Sequence, residues 1–181
     1  AYYTPTFIVD YIVAETIGKK LSESDDYNCK VLDPACGSGI FLVESLRKII
    51  EKYFTINGIT KTNTENVRLA LKDLAKNNIF GIDKDESAIQ VAVFSVYLTL
   101  LDYQEPADIE KFKFPNLIGS NFICCDAFDV NNPKLKALEE SKHSFDFIIG
   151  NPPWKRGGIE KKSICEQYLK HKQLMNNIGN R

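Results

Sequence analysis

Asn151-Pro152-Pro153-Trp154 closes an apolar run, FDFIIG at 145–150, with residue types that can aim acceptors at a flat amino group. Two consecutive prolines forfeit two backbone donors, hold a rigid extended turn and leave their carbonyls as acceptors. Asn151 adds a side-chain carbonyl and Trp154 a flat apolar plate. That combination suits a planar, amino-bearing group such as adenine. An adenine amino nitrogen is a poor nucleophile because its lone pair is conjugated with the ring. Two acceptors on its hydrogens favour the pyramidal geometry in which that pair is free. No strong base is then needed if the attacked carbon is already activated, and neither of the two His in the chain belongs to the motif.

Three earlier apolar runs also end in chemically pointed residues. KVLD at 30–33 leads from Asp33 into Pro34-Ala35-Cys36-Gly37-Ser38-Gly39, where two glycines let the backbone turn sharply and approach a ligand ahead of a helix N-terminus. IFGID at 79–83 ends in Asp83, an acid placed where a nucleotide ribose offers two hydroxyls. FICC at 122–125 is followed by Asp126-Ala127-Phe128, an acid able to bond an amino group beside an aromatic able to pack its ring. Taken singly, each has a plain alternative. A glycine turn also serves packing, Asp83 also reads as a surface or helix-capping acid, and Asp126 with Phe128 also reads as a turn residue followed by a core aromatic.

The elements between these points alternate in type. Thr4-Pro5 reads as an N-cap and first helical residue, with Phe7, Ile8, Tyr11, Ile12 and Ile17 at helical spacing in a helix over 5–21. A helix follows Gly39 to about Tyr53, and a second one carries Val67, Leu69, Leu71 and Leu74. Asp85 caps a long helix from Glu86 to about Asp102, whose AVFSVYLTLL core predicts burial on more than one face. A short helix after Pro133 separates the last two strands. Near-continuous apolar strands alternating with helices predict an α/β fold, a Rossmann-like doubly wound and mostly parallel sheet. Ligands in such a sheet sit at the carboxyl ends of the strands, where all four motifs lie.

Composition sets the limits. The 181 residues are 44% hydrophobic and 26% charged, as in an ordinary single domain, and the formal charge of -1 argues against a whole-surface grip on nucleic acid or lipid. Charge is uneven: from Lys155 on, the chain holds seven of the 23 Lys and Arg and only two of the 24 Asp and Glu. That segment reads either as a solvated basic tail or as a DNA-backbone contact. Five cysteines, at 29, 36, 124, 125 and 165, form no C-x-x-C pair, so neither a disulfide framework nor a metal site is expected and a reducing, cytoplasmic setting is. No apolar run is long enough to span a membrane, and AYYTPTFIVD lacks the features of a signal peptide.

In their order, YYTP, DPACGSG, GID, CDAF and IIGNPPW resemble the S-adenosylmethionine-dependent adenine-N6 DNA methyltransferases of restriction-modification systems. The resemblance covers residues 2–154 and is greatest to the single-chain enzymes that join methyltransferase and endonuclease. It implies a class I methyltransferase core with S-adenosylmethionine as cofactor. By motif, Tyr3, Thr4 and Pro5 would close over its methionine end, while Asp33 and the 34–39 backbone hold its amino and carboxylate groups. Asp83 would take the ribose hydroxyls and Asp126 the cofactor's adenine amino group, with Ala127 or Phe128 packing nearby. Asn151 and the Pro152 carbonyl would accept from the substrate amino group, and Trp154 would stack on an adenine flipped out of double-stranded DNA.

The resemblance also sets expectations of incompleteness. Gly39 to Asp83 spans 44 positions where a simple dinucleotide unit needs about 20, and an extra loop and helix over 54–77 takes up the excess. Trp154 stands where Tyr or Phe is commoner in the family. The family fold has seven strands and a separate DNA-recognition region, so residues 1–154 are expected to be a partial core truncated after the fourth strand. Residues 155–181 then lead toward a missing C-terminal recognition region of the same chain, with an endonuclease domain also outside, and this fragment is incomplete for activity. The competing readings are a methyltransferase acting on protein glutamine amides, an RNA amino-methyltransferase, and a non-catalytic nucleotide-binding or assembly module.

Overall fold

Four short parallel strands, β1 (Val31–Asp33), β2 (Ile79–Asp83), β3 (Phe122–Cys124) and β4 (Phe147–Ile148), lie side by side in the order β3-β2-β1-β4. They belong to a computed structural model that describes residues 4–62, 64–140, 144–152 and 163–172. Successive strand residues face opposite sides of a sheet, and both sides are apolar here. Val31, Ile79 and Phe122 join the larger core, whereas Leu32, Phe80, Ile82 and Ile123 form a second cluster. This is the doubly wound, Rossmann-like α/β fold that the alternation predicts. The chain winds outward from β1 to β2 and β3, then returns to the far side of β1 for β4, which puts the switch of direction between β1 and β4.

The larger core is built by α1 (Thr6–Val13), α2 (Lys19–Ser22), α3 (Ile40–Ile56), α4 (Glu65–Asn78) and α5 (Glu86–Leu101). On the other face, Leu135 and Leu138 of α6 (Pro133–Glu140) pack with Phe145 on the smaller cluster. A 3-10 turn (Pro106–Lys111) and α7 (Ile164–His171) complete the described elements. Among the described residues no helix is long and apolar enough to cross a membrane.

Three expectations need correction. Pro5, not Thr4, is the N-cap of α1: its carbonyl accepts from Ile8 and Val9, and the helix begins at Thr6. Phe7 and Tyr11 are 71% and 67% exposed, and the buried face is Val9, Val13, Ile17 and Leu21. That four-residue repeat would drift around an ideal α-helix. A π-helical stretch (Ala14–Gly18) joins α1 to α2, and its wider turns take up the drift and keep the four on one side. Finally, α5 leaves Val91, Phe94 and Leu98 open to solvent at helical spacing. It packs Ile89, Ala92, Val93, Val96 and Leu100 inward and shows one apolar stripe outward. The Asp85 cap is as expected, its side chain accepting from Ser87 N–H.

The loop from β1 to α3 fixes the close approach on which the site depends. Gly39 has φ of 81°, and a Cβ there would stand 3.1 Å from Ala92 Cβ on α5. Gly39→Ala combines left-handed strain with that contact, so urea unfolding is expected to show a loss of about 2 kcal/mol.

Candidate functional site

All four strand ends meet along one edge of the sheet. Asp33 ends β1 and is 1% exposed, with Ala35 N–H donating to its Oδ1 at 3.0 Å. Among the described residues it has no cationic partner. Burial raises its carboxyl from the usual 3.8 to about 7; the Ala35 bond works against this and the nearby Asp83 adds to it. Gly150, just past β4, gives this carboxyl its seat: a Cβ there would fall 2.8 Å from Asp33 Cγ. The glycine that precedes Asn151 thus lets the chain leaving β4 pass close against the Asp33 carboxyl.

The glycine loop is closed from below. Cys36 N–H donates to Ile82 O at 2.9 Å, Gly39 N–H to Cys36 O at 2.7 Å, and Gly37 N–H to Asp83 Oδ2 at 2.9 Å. A Cβ on Gly37 would meet nothing within 4 Å, so the loop borders open space on that side. Pro34, Ala35 and Ser38 are half-buried around it. Burial and the neighbouring carboxylates push the Cys36 thiol far up, so it stays protonated. Asp83 Oδ1 accepts from Asp85 N–H at 3.0 Å, so this half-buried acid orders both the loop and the start of α5.

At the end of β3, Cys125 N–H donates to Asp83 O at 2.8 Å. Asp126 Oδ1 accepts from Phe128 N–H at 2.9 Å, and Oδ2 pairs with Lys84 Nζ at 2.8 Å. Ala127 packs against the smaller core cluster. Phe128 is 47% exposed and meets Tyr168 of α7 edge-on at 5.2 Å, so it is not the core aromatic that a plain turn reading requires.

The fourth ending is joined to the start of the chain. Asn151 Nδ2 donates to Thr4 Oγ1 at 3.1 Å, across 147 residues of sequence. Thr4 therefore spends its hydroxyl on the fourth motif and not on a helix cap. The bond also fixes the amide's direction, turning its carbonyl oxygen away from Thr4. Pro5 and Pro152 are exposed beside them. Tyr3, Pro153 and Trp154 lie outside the described residues.

The structure thus brings Thr4, Asp33, the 34–39 loop, Asp83, Asp126 and Asn151 to one sheet edge. Sequence reading missed Gly150 and Lys84. The only trace of either was adjacency: a glycine just before Asn151 and a lysine just after Asp83. A buried acid without a cation, a glycine loop facing open space and two further acids on neighbouring strands together fit an amino-acid-bearing nucleoside. No group of His, Cys, Asp or Glu among the described residues could hold a metal ion.

Comparison with known proteins follows the same lines. The family model described as Eco57I restriction-modification methylase matches residues 77–179, more than half of the chain. The type II restriction enzyme and methyltransferase RM.Eco57I of Escherichia coli is 29% identical over 173 residues, covering 83% of this chain and 17% of its own. The type II methyltransferase M.BstVI of Geobacillus stearothermophilus is 27% identical over 170 residues, covering 94% of this chain and 27% of its own. The adenine-specific methyltransferase BrxX of Escherichia coli O9:H4 is 26% identical over 131 residues, with 53% and 10% covered. This chain spans well under a third of the length of each of these relatives.

Proposed function

This chain belongs to the Eco57I restriction-modification methylase family, and from that premise we propose that it is the cofactor-binding and catalytic part of an adenine-N6 DNA methyltransferase using S-adenosylmethionine. The observation that carries the reading is the Thr4–Asn151 bond, which ties the N-terminal element to the acceptor motif at the sheet edge where three acids already converge. Adenine as target has the support of the acceptor chemistry of Asn151 and Pro152 and of the adenine-specific name of the BrxX relative.

In this reading Asp33 receives the cofactor's ammonium group, and the backbone of residues 34–39 takes its carboxylate. Asp83 accepts from the ribose hydroxyls with the lone pairs left over from Gly37 and Asp85. Asp126 accepts from the purine amino group, with Ala127 and Phe128 beside it. Tyr3, Thr4 and Pro5 close over the methionine end. When bound, S-adenosylmethionine supplies a methyl group already activated by its sulfonium. Asn151 and the Pro152 carbonyl then orient the target amino group for in-line attack, Pro153 stiffens the turn and Trp154 stacks on the flipped base. The site's work is alignment and electrostatic stabilisation, and the proton that the methylated amino group must lose passes to solvent after the transfer, so no general base is required.

We further assign sequence recognition, and an endonuclease like that in the name of RM.Eco57I, to protein beyond residues 1–154. Double-stranded DNA is the partner. The test is to incubate the full-length protein with S-adenosylmethionine and DNA, then analyse the nucleosides by mass spectrometry. N6-methyladenine is the expected product. Methylcytosine alone, or methylation of protein glutamine or RNA in its place, would overturn the assignment.

A further inference from the structure

Lys84 directly follows the acid that ends β2, and its ammonium reaches across to the acid that follows β3. The two strand ends are locked together where this happens: Cys125 N–H donates to Asp83 O at 2.8 Å, and Cys124 Sγ donates to Lys84 O at 3.5 Å. The Lys84 Nζ–Asp126 Oδ2 pair at 2.8 Å is asymmetric, the lysine side chain being 72% exposed and the aspartate 15%. A sheltered carboxylate is thus held from the solvent side by a long flexible arm. Its other oxygen is fixed by Phe128 N–H.

We infer that Lys84 is a positioning residue of the nucleoside subsite, strapping the gap between Asp83 and Asp126 and orienting the Asp126 carboxylate toward a purine amino group. The inference rests on the proposed cofactor reading. Four methylenes of the lysine stem supply an apolar cover for a flat ring, and the ammonium supplies direction. A carboxylate oxygen has two lone-pair sites, so Oδ2 accepts from Lys84 and retains one for the ligand. Because the pair is exposed on the lysine side, its contribution is modest and falls with salt.

The test is calorimetric binding of S-adenosylhomocysteine to the full-length protein. In low salt, Lys84→Met keeps most of the stem and is expected to weaken binding about threefold, the scale of an exposed ion pair. Lys84→Ala also removes the stem and is expected to cost about tenfold. Lys84→Arg restores affinity, and the difference between wild type and Lys84→Met closes in high salt. Thermal unfolding, by contrast, changes little, which separates positioning from a purely structural pair. If wild type binds while Lys84→Met binds equally well or more tightly in low salt, the strap is refuted and the cofactor reading stands. If wild type does not bind S-adenosylhomocysteine, both fall. Should Lys84→Met not fold, wild-type affinity that is indifferent to salt refutes the strap on its own.

Discussion

Replacing Asp33 with asparagine is expected to make the domain more stable at pH 8 and to weaken its binding of the proposed cofactor. The carboxyl is buried with only the Ala35 N–H for a partner among the described residues and is raised from 3.8 to about 7. A group whose folded value lies above its unfolded value stabilises the fold while protonated. That stability is full below about pH 4, declines as pH rises and is gone above about pH 7. A three-unit shift corresponds to roughly 4 kcal/mol. Asparagine keeps an oxygen for Ala35 without the charge, so part of that cost is recovered, about 2 kcal/mol, or several degrees in the unfolding midpoint. The gain should shrink as pH is lowered from 7 toward 4.

The same change removes the only buried anion proposed to meet the cofactor's ammonium. Loss of a charged hydrogen bond implies weaker binding by about 10- to 100-fold. In the wild type, cofactor affinity should climb with pH to about 7 and then level, because the ammonium must find Asp33 ionised. Scanning calorimetry and binding isotherms across pH check both halves. Asp33→Asn that is destabilised at pH 8, or that binds as well as wild type, contradicts this account.

Asn151→Ala is expected to separate binding from transfer. Asn151 stands past β4, on the other side of β1 from Asp83 and Asp126, exposed and bonded to Thr4 Oγ1. Removing its carbonyl takes away the acceptor proposed for the substrate amino group, so transfer should fall about 10²- to 10³-fold. Cofactor affinity and the unfolding midpoint should hold, since the side chain lies in neither core cluster. Thr4→Val should move the rate in the same direction by less, because it frees the amide to rotate without deleting it. Parallel loss of binding and rate in Asn151→Ala would place the residue in the cofactor site instead.

The strand ends were legible because an apolar run long enough to cross a buried sheet stops where the chain must turn, and the residues at or just past that stop are the ones proposed to face a ligand. Asp33, Asp83, Asp126 and Asn151 all fall there. Helix starts with a local chemical signature, such as Asp85, were legible for the same reason. What escaped was set by tertiary contact. Phe7 and Tyr11 share a helical spacing with the true core residues, and only the π-helical stretch decides for Val9, Val13, Ile17 and Leu21. Thr4 has the chemistry of a cap, but its hydroxyl lies beside Asn151. Gly150 and Lys84 gain meaning only from the side chains that face them across strands.

The most direct measurement is to express the full-length reading frame in a host without DNA methylation and to map modified bases in its genome, with Asn151→Ala in parallel. The account predicts N6-methyladenine at one recurring sequence for the wild type and a strongly reduced mark for the variant. A folded, cofactor-binding wild type that leaves adenine unmarked, or an Asn151→Ala variant that marks it as fully, would contradict it.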